Sequence, residues 1–259
     1  MAQIETRAHG DIIELRLARG PVNALDPTLC TALRDALAAA VRSGAHGIAL
    51  TGGPSVFSAG LDVPYLMSLG EDRGALMHAW EAFFGAARAL VASPVPIAAG
   101  IAGHAPAGGC VLALCCDYRV MARSPDAAKP FRIGLNETQV GLVAPEGIQR
   151  LLRRVVGPHR AERLLVGGLM PTTDEAFAIG LVDEVAFVDD TAARAIEWAR
   201  SLSMLPRHPV LETRSIARAD AVDALHPRHI ELERFVEAWY LPDTQAALRA
   251  VLERLGKPR

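Results

Sequence analysis

One carboxylate in an apolar run is the residue of this chain best placed to do chemistry. In "RIGLNETQVGLVAPEG", residues 132–147, Glu137 is surrounded by Ile133, Leu135, Val140, Leu142 and Val143. A Glu in such company has two readings. It caps a turn and faces water, because Glu is almost never fully buried without a partner. Alternatively it is a general base whose pKa is lifted by an apolar pocket. Two turns of very small residues could complete such a site: "FSAGLD", residues 57–62, and "PAGG", residues 106–109. Each lies between a strand pattern and a helix pattern, where backbone N–H groups point outward unpaired. Either turn alone reads as close packing. Together they could present two N–H donors to one oxygen, an oxyanion hole.

Other chemistries lack their residues. Gly103 and Gly108 stand at P-loop spacing, but Gly109 occupies the place of the phosphate-binding Lys. No G-x-G-x-x-G follows a strand pattern, and no G-x-S-x-G elbow occurs. Cys30, Cys110, Cys115 and Cys116 form no C-x-x-C pair and have no His at zinc spacing, so no metal site is expected. Free thiols packed as small hydrophobes suit a reducing compartment. His104 is a lone His in a small-residue turn, a pattern more often incidental than catalytic.

The elements that must hold these residues follow from periodicity. "IETRAHGDIIELRLAR" alternates as a hairpin turning at His9–Gly10–Asp11. "LDPTLCTALRDALAAAVRSG" is a helix with Asp26 as N-cap, Pro27 in its first turn and Gly44 after its end. "HGIALTGG", "PIAAGIAG" and "YRVMA" read as buried strands, and "RGALMHAWEAFFGAARALVAS" as the helix between the first two. Strand, helix and strand in that order imply right-handed parallel crossovers. Further helices surround "GIQRLLRRVV", "HRAERLLVGG" and "TTDEAFAIG", then a short strand "LVDEV", and everything from residue 189 reads as helix. The expected fold class is α/β, with a core over residues 1–188 and a helical region over 189–259.

The bulk numbers agree. The chain is 51% hydrophobic but only 5% aromatic, so its core is built of Ala, Leu and Val. A net charge of −2, with Arg interleaved among Glu and Asp, argues against a nucleic-acid partner. No signal segment or membrane-length apolar run is visible, which leads to the expectation of a cytoplasmic protein without a membrane partner.

"VNALD", "FSAGLD", "PAGGCVLALCCDYRVMA", "IGLNETQVGL" and "AERLLVGGLMPTTDEAFAIGLVDEV", in this order, resemble the crotonase (enoyl-CoA hydratase/isomerase) superfamily. The resemblance implies a spiral of ββα units with a C-terminal helical region that helps build a homotrimer or a dimer of trimers. It implies an acyl-CoA thioester as substrate, with no separate cofactor. It places the thioester carbonyl between the backbone N–H groups of Ala59 and Gly108, and the CoA arm against Asn23, Ala24, Ser58, Leu61, Asp62 and Leu142. Asp62 could instead cap the next helix.

The acids separate activities within that family. Enoyl-CoA hydratases carry two glutamates that hold the water added to the double bond. Val111 stands at the first of these positions and Glu137 at the second. After the second glutamate this chain has "APEG", and Pro145 has no N–H to offer. "IGLNETQVGLVAP" resembles the Δ3,Δ2-enoyl-CoA isomerases, in which the matching glutamate shuttles one proton and a second acid is unnecessary. Another crotonase-fold activity (hydration or thioester hydrolysis) and a non-catalytic acyl-CoA-binding protein are the alternatives. His104 sits where those isomerases carry a small residue.

Overall fold

The computed structural model describes residues 3–256. The N-terminal hairpin forms as its alternation requires: β1 (Ile4–His9) pairs antiparallel with β2 (Ile12–Leu17), and Gly10 makes the turn at φ +74°. α1 (Pro27–Arg42) begins where Asp26 accepts from the Leu29 N–H at 2.7 Å, and buries Leu29, Leu33 and Leu37. β3 (Gly47–Thr51) is wholly buried, and α2 (Val63–Ser68) and α3 (Arg73–Val91) follow it. β4 (Ile97–Ile101), the two-residue β5 (Ala105–Pro106), α4 (Gly108–Leu114) and β6 (Tyr118–Ala122) come next. β7 (Ile133–Gly134) leads into a one-turn 3-10 helix, Glu137–Val140. α5 (Glu146–Val156), α6 (Pro158–Gly167) and α7 (Thr173–Ala178) precede β8 (Glu184–Ala186). The last strand starts later than "LVDEV" suggests. Leu181 and Val182 are core residues whose N–H groups cap α7 through the Ala176 carbonyl.

The strands make a six-stranded sheet in the order β1-β2-β3-β4-β6-β8, parallel from β2 onward, as expected of successive crossovers. One face receives α8 (Thr191–Ser203) through small residues. Ala49, Ala98 and Val120 of the sheet meet Ala195, Ile196 and Ala199. A Cβ on Gly100 would stand 3.1 Å from the Thr191 carbonyl, so glycine sets that spacing. The boundary drawn at residue 188 thus falls just before a helix laid across the sheet.

α9 (Arg207–Ala217) is tied to the core by Arg214, whose Nε and Nη2 both donate to Asp117 at 2.8 Å. α10 (Ala219–Ala224), α11 (Leu232–Trp239) and α12 (Pro242–Leu255) complete the helical region. Trp80 and Phe84 of α3 meet Phe235 of α11, the Trp80 and Phe235 rings edge-to-face at 4.4 Å. Among the described residues no helix is long and apolar enough to cross a membrane.

Candidate active site

Short backbone pairings outside the main sheet assemble the site. The bridge between Leu25 and Leu61 lays "VNALD" along "FSAGLD": the Leu25 N–H donates to Gly60 O at 2.7 Å, and the Asp62 N–H to Leu25 O at 3.0 Å. β5 pairs with β7, and the Ala107 N–H donates to Gly134 O at 2.8 Å. Because Gly108 lies two residues beyond the end of β5 and Glu137 three beyond the end of β7, that pairing carries the second glycine turn and the carboxylate to the same wall. The glycine turns themselves abut. A Cβ on Gly60, whose φ is +81°, would lie 3.1 Å from the Gly108 nitrogen. Only glycine fits so close an approach at a positive φ.

The structure corrects one expected donor. The Ala59 N–H donates to Val22 O at 2.9 Å and is therefore engaged within the fold. The Gly60 N–H faces the Ser58 hydroxyl at 3.3 Å. Among the described residues the Leu61 and Gly108 N–H groups donate to no protein acceptor. Both residues line the same cavity. The free N–H of the first turn is thus that of Leu61 instead of Ala59: Gly60, at φ +81°, breaks the alternation of the segment, so that Ala59 and Asp62 face the "VNALD" stretch and Leu61 turns away from it.

That cavity measures about 610 Å³ and takes its lining from almost the whole chain, from Arg19 to Val251. Two carboxylates stand in its wall among the described residues, in very different states. Asp62 caps α2 by accepting from the Tyr65 N–H at 3.0 Å, and it pairs with Arg19 at 2.7 Å. Glu137 has no such partner. Its Oε2 is withdrawn from solvent and accepts no hydrogen bond, as is the neighbouring Asn136 Oδ1. Removal from water pushes the Glu137 carboxyl up to about 7, with its own backbone N–H pulling weakly the other way. Of the two sequence readings, the water-facing cap is the one this geometry rejects. Across the site, Cys110 of α4 feels the Glu137 charge, and burial pushes its thiol up so that it stays neutral.

The remaining expected residues divide. Ala24, Ala59, Leu61, Asp62, Gly108 and Leu142 line the cavity. Ser58 and Asn23 do not. Ser58 is fully buried and donates to Asn23 O at 2.8 Å, while Asn23, at φ +49°, donates through Nδ2 to Phe57 O at 3.0 Å. Both brace the first turn from behind, so their expected contact with the CoA arm is corrected to a structural one. His104 is also off the cavity lining. Its ring meets Phe131 edge-to-face at 5.3 Å, and its Nδ1 accepts from the Arg132 N–H.

Val111 and Pro145 both line the cavity, so the two positions that depart from the hydratase pattern are inside the site. Two features of the wall escaped the sequence reading. Arg19 bridges Asp26 and Asp62 and donates to Ala24 O at 2.9 Å, pinning the first turn. Trp80, Phe83 and Phe84 of α3, with Phe235 and Trp239 of α11, give the apolar part an aromatic wall. Their spacing by three and four residues along each helix was a visible signal. Among the described residues no cluster of His, Cys, Asp and Glu could hold a metal ion.

The profile of the family described as Enoyl-CoA hydratase/isomerase matches residues 7–257. Mouse mitochondrial enoyl-CoA delta isomerase 1 is 31% identical over 259 residues, covering 99% of this chain and 88% of that protein. A probable enoyl-CoA hydratase of Mycolicibacterium paratuberculosis is 34% identical over 230 residues, covering 84% of this chain and 85% of that one. The crystal structure of human mitochondrial delta3-delta2-enoyl-CoA isomerase superposes with a TM-score of 0.89 at 30% identity, covering 98% of each chain.

Proposed function

The chain belongs to the enoyl-CoA hydratase/isomerase family, and from that premise we propose that it is a Δ3,Δ2-enoyl-CoA isomerase. The observation that carries this reading is the single cavity carboxylate that, among the described residues, has no side-chain partner. Glu137 faces a cavity in which Val111 occupies the place of a second acid and Asp62 is held by Arg19. One base suffices for a 1,3-proton transfer. The Glu137 carboxylate takes a proton from C2 of the 3-enoyl thioester. The C2–H electron pair moves toward the carbonyl and leaves a dienolate conjugated through C3 and C4. The same carboxyl then returns its proton to C4, and the double bond comes to rest between C2 and C3. The enolate oxygen gathers the charge, and the Leu61 and Gly108 N–H groups are the donors we assign to it. The apolar wall around Glu137 excludes the water that would otherwise be added or would quench the dienolate.

The test is to offer the enzyme a trans-3-enoyl-CoA and a trans-2-enoyl-CoA side by side. Conversion of the first to the conjugated thioester, with no loss of the second to hydration, is the expected result. Consumption of the 2-enoyl thioester at a comparable rate would replace isomerase by hydratase. Release of free CoA would point to thioester hydrolysis, and no turnover of any enoyl-CoA to a binding protein.

The pH dependence is fixed by the raised pKa. Glu137 must be ionised to accept a proton, and its carboxyl titrates near 7 in the free enzyme. On the acidic side kcat/KM is therefore expected to rise with pH through about 7 and level off above it. A profile already flat between pH 5 and 8 would mean that an ordinary, solvated carboxylate does the work.

Four free, buried cysteines support a reducing compartment. We retain the cytoplasm as the proposed location, although the mouse relative is named mitochondrial. We also retain a homotrimer or dimer of trimers as the proposed assembly. Exposed Phe187, Met204, Leu205 and Ile216, in and beside the helical region, are the apolar surface that supports it.

A further inference from the structure

A catalytic carboxylate is usually aimed by a side chain that hydrogen-bonds it, and Glu137 has none at Oε2. Its direction must then come from its backbone, and so from whatever fixes the 3-10 turn it opens. That turn, Glu137–Val140, ends at Gly141 in the left-handed region, φ +77°. On one side it is held by α6. The Thr138 hydroxyl donates to Leu165 O at 3.3 Å and Gln139 Nε2 to Gly167 O at 3.4 Å, both near the limit of a useful bond. On the other side stands α12. The Thr244 hydroxyl, on a residue only 5% exposed, donates to Gly141 O at 2.8 Å. A Cβ on Gly141 would lie 2.7 Å from the Ala247 Cβ and 3.1 Å from the Thr244 Cα, so the two backbones touch. Thr244, Ala247 and Val251 fall on one stripe of α12, and Val251 is part of the cavity wall.

We propose that Thr244 is a positioning residue for Glu137, coupling the docking of the C-terminal helix to the placement of the base through the Gly141 carbonyl. Its hydroxyl makes the shortest tie to the turn, and it comes from the helix that also closes the cavity. The inference rests on Glu137 being the base. It adds that the C-terminal helix is needed for proton transfer itself as well as for enclosing the acyl group.

The experiment compares Thr244→Val, which keeps the shape and removes the donor, with Thr244→Ser, which keeps the donor. Thr244→Ala is included in case valine is poorly tolerated against the carbonyl. With trans-3-hexenoyl-CoA, Val and Ala are expected to lower kcat about tenfold or more, because small misplacement of a reacting group is costly, while KM changes less. Their acidic limb should move below that of the wild type as the loosened turn admits water to the carboxyl. Asp62, the other carboxylate in the cavity wall, is paired with Arg19 at 2.7 Å, and burial pushes the neighbouring Cys110 thiol up so that it stays uncharged. Ser should restore both kcat and the limb. Wild-type kcat and limb in Val and Ala would overturn the proposal. So would a Ser variant as impaired as they are, since the methyl group would then be what matters. Glu137→Gln, assayed in parallel, separates the two failures: if it stays active the base assignment has failed, and if it is inactive only the role of Thr244 is in question.

Discussion

Glu137→Gln is expected to lower isomerase turnover by about 10³-fold or more, while the protein still binds acyl-CoA and becomes more stable at high pH. The catalytic part follows from the mechanism. An amide cannot accept the C2 proton, and no other free carboxylate lines the cavity among the described residues. The stability part follows from linkage. Folding raises the Glu137 pKa from 4.5 to about 7. Between those values the native state holds a proton that the unfolded chain has released, so stability falls as pH climbs from about 4.5 through 7. Above 7 the folded protein carries a buried charge costing at most on the order of 3 kcal/mol, at about 1.4 kcal/mol per unit. Gln removes that cost with almost no change of shape. The wild type and variant should therefore melt at similar temperatures near pH 4.5, separate progressively between pH 4.5 and 7, and keep a constant difference above 7, with the variant higher. Thermal unfolding across pH, beside turnover and acyl-CoA titration, checks all three limbs. Undiminished turnover would remove Glu137 as the base. Identical melting at pH 8 would mean that its carboxyl is solvated in the folded protein.

Such a trade is what a base in an apolar wall entails. On the proposed mechanism the chain gives up stability at the pH where the carboxylate works, and gains a proton acceptor closer in strength to the weak carbon acid to be deprotonated. Partners at Oε2 would stabilise the ion and lower its pKa.

How much of this could be read from residues alone depended on the range of the interactions. Local signals sufficed for the Asp26 and Pro27 start of α1, the His9–Gly10–Asp11 turn and the buried strand "YRVMA", since each is fixed by neighbours in sequence. Glu137 and Gly108 were legible as chemistry-bearing types. The choice of donor in "FSAGLD" was not. It depends on which N–H of the extended segment the "VNALD" strand takes up, and the register Ala59 to Val22 and Leu25 to Gly60 joins parts of the chain more than thirty residues apart. Arg19 escaped for the same reason, because Asp26 and Asp62 meet only across two loops. Ser58 and Asn23 show the converse error. A polar residue beside a functional turn was assigned to the ligand, whereas it satisfies the backbone that shapes the turn.

Gly60→Ala is expected to slow turnover about a hundredfold without unfolding the protein, because it forces apart the two turns that carry the donors. At φ +81° an alanine is strained by roughly 1–2 kcal/mol, which a folded domain tolerates. The larger effect is positional. The new Cβ would stand 3.1 Å from both the Gly108 nitrogen and the Pro106 carbonyl, and 3.2 Å from the Ala107 Cβ. These are atoms of the opposing turn, so the turn must retreat by a few tenths of an ångström instead of swinging a flexible tip aside. Oxyanion donors act over 2.7–3.1 Å from the developing charge, and loss of one costs ~10²–10³ in rate. Because the charge reaches its full value only in the dienolate, the loss should fall on kcat far more than on KM. The same substitution should leave the Glu137 limb near pH 7, since the atoms nearest the new Cβ belong to Pro106, Ala107 and Gly108 and none to Glu137, whose desolvation is left unchanged. Turnover within a few fold of wild type, in a protein of normal melting temperature, would show that these two turns do not hold the thioester oxygen. A loss of turnover accompanied by a displaced acidic limb would instead mean that the turn reaches Glu137, and that oxygen and base are held by one connected piece of backbone.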